Sequence, residues 1–178
     1  MSKNIVILSG SPRIAGNSEK LVTAFKEGAE SSGNIVRIFR TAHMKINGCT
    51  GCEHCQQHKS ECVLKDDMIE ILDALREADV VVWASPVYYF SVTAQLKAAI
   101  DRMYSLISEK AKQTVLLLTC ADESSDTAAG AFAMYERILK YYKWIDAGII
   151  IATGVESIND IDGRDELKQA RKLGMNIC

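Results

Sequence analysis

The 178-residue chain lacks any excess of charge. Its 21 Lys and Arg face 23 Asp and Glu, for a formal net charge of −2. That balance gives no electrostatic case for nucleic-acid binding or for an anionic membrane surface. Long apolar runs are also missing: Val80–Trp83 and Gly148–Ala152 are far below membrane-spanning length. No basic segment followed by an apolar stretch precedes the first strand, so no secretion signal is expected. Proline is scarce, at 2 residues against 11 glycines, and neither a low-complexity stretch nor a linker interrupts the chain. With 48% hydrophobic residues, residues 1–178 are expected to form one soluble cytoplasmic domain. One entry of the composition is high instead of low. There are 6 cysteines, and Cys49, Cys52, Cys55 and Cys62 crowd one polar segment over 41–65. A cytoplasmic domain of this size needs no disulfide framework, so those thiols need another account.

Short apolar runs alternate with amphipathic segments. Strands are predicted at 4–9, 35–39, 80–85, 114–119 and 149–152. Helices are predicted over 18–31, from Asp67 onward with Glu70 completing a capping box, over 92–107, over 126–142 and over 164–173. Strict strand–helix alternation implies an α/β fold, with a parallel sheet and helices on both faces. With strand order 2-1-3-4-5, the order reverses between strands 1 and 3, and ligands bind at the carboxyl ends of strands near that point. The loops to inspect are therefore 10–18, 86–91 and 120–126.

The loop after strand 1 runs Ser9-Gly10-Ser11-Pro12-Arg13-Ile14-Ala15-Gly16-Asn17-Ser18 into a helix. Small residues, hydroxyls, one cation and a helix N-terminus suit a phosphate monoester. Several rivals fail on residue type. A Walker A loop needs Lys where Asn17 stands, and the dinucleotide fingerprint GxGxxG is missing. Carboxylates for a phospho-acceptor and a thiol for a cysteine phosphatase are both missing from the end of strand 1. After strand 3 comes Ser85-Pro86-Val87-Tyr88-Tyr89-Phe90-Ser91. Three consecutive aromatics at the sheet's carboxyl edge suit a flat heteroaromatic ligand, whose polar edge backbone N–H groups of this loop are expected to meet.

SGSPRIAGNS followed by SPVYYFSVTAQLKAAIDR resembles the NADPH-dependent FMN reductase branch of the flavodoxin-like flavoproteins. The resemblance implies a three-layer flavodoxin-like fold. It also implies that Ser9, Ser11, Arg13, Asn17 and Ser18 hold the FMN phosphate and that Pro86, Val87, Tyr88, Tyr89 and Phe90 line the isoalloxazine. Cys120 and Asp122 would lie along its other side, although the family's glycine is missing there. NAD(P)H is then the implied hydride donor, with a quinone, a flavin or another small molecule as acceptor. No side chain need act as acid or base, because the flavin carries the chemistry. A homodimer or homotetramer is implied as well.

The cysteine spacing is C-x2-C-x2-C-x6-C. It resembles the compact motif of the iron–sulfur flavoproteins, in which a 4Fe–4S cluster exchanges electrons with FMN and a carrier such as ferredoxin. Two other readings of the residues stay open. Zinc could be held with help from His43, His54 or His58. Alternatively, Cys52 and Cys55 could work as an unmetallated CxxC pair, which would also suit a redox sensor. Glycosidase and triad chemistry are unsupported, since no paired carboxylates or Ser–His–acid arrangement occurs in the ligand loops.

Overall fold

In the computed structural model, which describes residues 2–107 and 109–177, five strands form one parallel sheet in the order β2-β1-β3-β4-β5. Cys178, to which the sequence assigns no role, lies outside the described residues. The strands are β1 (Asn4–Ser9), β2 (Ile35–Arg40), β3 (Val80–Pro86), β4 (Gln113–Thr119) and β5 (Ile145–Ala152). The three central strands read as unbroken apolar runs because both of their faces are covered. Along β1, Ile5 and Ile7 face the layer of α1 (Asn17–Ser31) and α6 (Asp165–Met175). Val6 and Leu8 face the opposite layer of α3 (Met68–Glu77), α4 (Ala94–Arg102) and α5 (Ala129–Tyr142). A four-residue helix, α2 (His54–Gln57), lies within the cysteine segment.

Helices α1 and α6 cross through glycine. A Cβ on Gly28 would sit 1.9 Å from the Arg171 carbonyl oxygen, and one on Gly174 would sit 2.1 Å from that of Phe25. The opposing atoms are backbone, so neither helix yields without moving. Gly28→Ala is expected to lower the unfolding free energy by about 3 kcal/mol, the upper end for overpacking, measured from denaturant midpoints at unchanged slope.

Three expectations change in the structure. The capping box before α3 does not form. Asp67 has helical backbone angles and its carboxylate accepts from Lys45 N–H (2.7 Å), while Glu70 pairs with Arg37 (3.1 Å). Asp66 takes over the start of the helix, accepting from Met68 N–H at 3.2 Å. The helix predicted through 107 ends at Arg102 and tightens into a 3-10 turn, Met103–Leu106. Side chains there occupy the carbonyls: Ser105 Oγ donates to Arg102, Tyr142 to Met103 and Gln56 to Tyr104, at 3.3, 2.7 and 3.1 Å. Finally, β5 begins four residues early. The ladder slips between Thr114 and Val115, and Asp146 fills the irregularity, accepting from Tyr135 Oη and from Gly148 N–H at 2.9 Å each.

Candidate functional site

The two ligand loops are fastened to each other before any ligand is considered. Thr93, the N-cap of α4, donates its hydroxyl to the Gly10 carbonyl (2.8 Å) and accepts from Leu96 N–H (3.4 Å). Its own N–H donates to Ser85 Oγ at 3.0 Å. Gly10 N–H in turn reaches the Ala84 carbonyl at 2.8 Å, so the loop after β1 and the loop after β3 share one anchor.

Between them lies an open cleft of about 150 Å³. Ser11, Arg13, Asn17, Ser18, Pro86, Val87 and Tyr88 all line it, so seven residues singled out from sequence meet in one place. At the start of α1 the N–H groups of Glu19 and Lys20 donate to the Gly16 carbonyl (3.1 and 3.2 Å), which leaves those of Asn17 and Ser18 at the positive end of the helix dipole. Ser18 Oγ meets Thr119 Oγ1 at 2.7 Å, which ties the start of α1 to the end of β4. Arg13 Nη1 donates to the Glu156 carbonyl at 3.2 Å, and Asn17 Nδ2 to the carbonyls of Ser157 (2.9 Å) and Val155 (3.4 Å). Asn17 Oδ1 is buried with no partner among the described residues.

The other predicted residues stand elsewhere. Ser9 is fully buried and its hydroxyl donates to Glu19, whose second oxygen accepts from Arg40 Nε at 3.1 Å. Its hydroxyl is thereby engaged beneath the cleft. Cys120 belongs to the core layer of α3, α4 and α5, with its thiol directed at the Ala152 carbonyl 3.8 Å away. Burial, helped by the Asp122 charge, pushes that thiol's pKa up. The Asp122 carboxylate shapes its own turn. It accepts from Ser124 N–H and from Thr127 Oγ1, at 2.9 Å each, and these bonds lower its pKa.

Tyr89 and Phe90 form the tip of a tight hairpin in which Tyr88 and Ser91 exchange backbone hydrogen bonds of 2.8 and 3.1 Å. Both tip residues have left-handed backbone, φ 50° and 66°, at positions that normally take Asn or Gly. Non-glycine residues held this way cost of order 1 kcal/mol or more each. The rings are presented outward, 96% and 61% exposed. The N–H groups of Val87, Tyr88 and Ser91 are already taken, the first by the Thr119 carbonyl at 2.7 Å. The expected row of free backbone donors in this loop is therefore reduced to the tip. Sequence reasoning missed the loop after β5, where Val155 and Glu156 complete the cleft. A visible signal existed: Thr153-Gly154 follows a strand at the same carboxyl edge as the other ligand loops.

The second feature is the cysteine segment. Cys49, Cys52, Cys55 and Cys62 line one cavity of about 260 Å³ together with Arg102, Tyr104 and Ser105. Two of its lining residues, Gly51 and Glu53, stand at positive φ, as do Lys59 and Ser60 farther along the segment. Burial disfavours ionisation of Asp66, but the Arg102 guanidinium and Asn47 outweigh it and bring its pKa down to about 2. Arg102 has a side chain only 1% exposed, and its Nε–H has no acceptor among the described residues. A thiolate-rich, anionic group in the cavity would supply that acceptor, and the soft sulfur donor set suits iron–sulfur chemistry. None of the three histidines lines the cavity; His54 and His58 stack on each other at 3.8 Å. Among the described residues, no three His, Cys, Asp or Glu side chains converge on a single-ion site. No described helix is long and apolar enough to cross a membrane.

Comparison with known proteins adds names to this geometry. The sequence profile of NADPH-dependent FMN reductases matches residues 3–151. An iron–sulfur flavoprotein of Archaeoglobus fulgidus is 36% identical over 174 residues, which is 95% of this chain and 76% of that protein. An iron–sulfur flavoprotein of Methanosarcina thermophila is 38% identical over 95 residues, 53% of this chain and 49% of its own. The match therefore spans about half of that relative. Among solved structures, an NAD(P)H:quinone oxidoreductase from Methanothermobacter marburgensis superposes with a TM-score of 0.77 at 20% identity, covering 99% and 96% of the two chains. A Bacillus anthracis azoreductase gives 0.73 at 16%, covering 98% and 99%. At those identities the likeness is one of fold.

Proposed function

The chain belongs to the NADPH-dependent FMN reductase family and is an oxidoreductase, and from that premise we propose that it is an electron-transfer flavoprotein with two redox centres. FMN would occupy the cleft of Ser11–Ser18 and Pro86–Tyr88, and a 4Fe–4S cluster the cavity of Cys49, Cys52, Cys55 and Cys62. Electrons would enter from NAD(P)H or from a ferredoxin-type carrier and leave to a quinone, a flavin or another small acceptor. The observation that carries this reading is the meeting of all four segment cysteines in one cavity, on a chain whose ligand loops already build an anion cradle.

Bound FMN supplies both hydride and single-electron chemistry, and a cluster supplies single-electron transfer. The protein's own part is binding and orientation. The N–H groups of Asn17 and Ser18, with Ser11 and the Arg13 guanidinium, would hold the phosphate. The open Asn17 Oδ1 suits a ligand hydroxyl. Pro86, Val87 and Tyr88 set the plane of the ring. The exposed Tyr89 and Phe90 suit contact with a second subunit, consistent with a homodimer or homotetramer. Cys120 keeps its thiol in the core and takes no part.

A cluster-free NAD(P)H:acceptor reductase is the second reading, favoured by the lack of three converging ligands among the described residues. Anaerobic purification followed by a visible spectrum and assays for iron, acid-labile sulfide and zinc separates the two. Flavin absorbance with about four irons and four sulfides per chain is the expected result. Flavin without iron, even after reconstitution, leaves the second reading, and a colourless protein that takes up no FMN removes both. Failure of NADH and NADPH to bleach the flavin assigns electron entry to a carrier protein. Arg13→Ala should weaken FMN binding about tenfold or more by fluorescence titration, the usual loss for a hydrogen bond to a charged group.

A further inference from the structure

Arginine carries five N–H donors in a rigid fork. In Arg102 the two terminal nitrogens are fully used. Nη1 donates to Asp66 Oδ2 and the Asn47 carbonyl, at 2.9 Å each, and Nη2 to Asp66 Oδ1 (3.1 Å) and the Leu64 carbonyl (3.4 Å). The fifth donor, Nε–H, is buried and unpartnered among the described residues. Pairing with Asp66 therefore does not account for the whole side chain. Arg102 also lines the cysteine cavity, together with Cys62.

We propose that Arg102 is the positioning residue that sets the reduction potential of the cysteine cavity, its Nε–H donating to the Cys62 sulfur or to an inorganic sulfide. The inference rests on the cluster reading above. The sulfur shell of a cluster is anionic and becomes more so on reduction. A buried cation and an N–H bond to sulfur favour the more negative state, and such bonds and charges are known levers on cluster potential. Lysine cannot replace this arrangement. Its ammonium reaches Asp66 but offers no second donor held at the angle of Nε.

The test uses the anaerobically purified holoprotein in three forms: wild type, Arg102→Lys, and Arg102→Gln with Asp66→Asn. The Lys variant keeps a cation beside Asp66, and the double variant removes both charges, so neither leaves a buried unpaired carboxylate. Iron, sulfide and FMN are counted per chain, and the cluster potential is read from its paramagnetic signal in a mediated titration. The Lys variant should load fully and shift the reduction equilibrium at least tenfold toward the oxidised form, about 59 mV for one electron. The double variant should shift in the same direction, with FMN affinity unchanged. If the double variant alone loses iron, the fully loaded Lys variant decides: a shifted potential supports the assignment and a wild-type potential overturns it. Fully loaded variants at the wild-type potential overturn it, as does loss of iron from both, which would mark a merely structural role. A wild type that binds FMN but no iron or sulfide removes the cluster reading itself and this inference with it.

Discussion

Cys52→Ser should strip the protein of iron and acid-labile sulfide while the flavin spectrum stays at wild-type strength. The expectation follows from how the two centres are built. Cys52 is exposed, so its loss leaves no core defect. Hydrogen bonds from the His54 backbone and from Thr50 lower its pKa, which favours the thiolate that binds metal. Among the described residues, the cysteine cavity and the cleft proposed for FMN share no lining residue. Thr93 at the start of α4 serves the cleft and Arg102 at its end serves the cavity. At 1.5 Å per residue these ends stand about 13 Å apart, so a change in one centre need not disturb the other. Cys120→Ser is the control: that thiol sits in the core, and its loss should leave iron and flavin at full content with a small drop in stability. Full iron in Cys52→Ser would show that the ligand set is wrong. Parallel loss of flavin would show that the two centres are not independent.

Most element positions were legible because each rests on a local signal, whereas the sheet order came with the resemblance to the flavodoxin-like flavoproteins. Val80–Ser85 and Thr114–Thr119 are uninterrupted apolar runs, and only a strand covered on both faces reads that way. That the loops after β1 and β3 meet in one cleft was legible because both follow strands at the sheet's carboxyl edge, where the strand order reverses. What escaped prediction depends on partners distant in sequence. Ser9 looks like a ligand residue until Glu19 and Arg40 are seen to occupy it. Asp67 reads as an N-cap until Lys45 takes its carboxylate and Asp66 takes its place. Val155 and Glu156 carry no motif, and their loop is held at the cleft by distant partners: Asn17 and Arg13 bond its carbonyls, and Val155 N–H donates to the Cys120 carbonyl. No motif in the sequence singles out Arg102. Its burial is decided by the cysteine segment folding over it, which no periodicity within α4 reveals.

Gly10→Val should abolish high-affinity FMN binding, weakening it about a hundredfold or more, in a protein that still folds. A Cβ at residue 10 would lie 2.5 Å from Thr93 Oγ1 and 2.7 Å from Leu96 Cβ, both inside contact distance. Leu96 is fully buried against its layer, and Thr93 is held by Ser85 and Leu96 N–H, so neither side chain can step aside. The strain must instead part the loop after β1 from the start of α4. That movement breaks the Thr93–Gly10 bond and displaces Ser11 and Arg13 relative to Pro86 and Val87. A ligand that needs both loops then loses contacts on each side. Overpacking of this kind costs about 1–3 kcal/mol of stability, a fall of several degrees in Tm for a chain of this size. Thr93→Val separates the two contributions: it removes the hydroxyl bond without adding bulk at residue 10, and should weaken FMN only about tenfold, in line with loss of one hydrogen bond and a helix cap. Equal affinities for Gly10→Val and wild type, by fluorescence titration on well-folded protein, would place FMN outside this cleft.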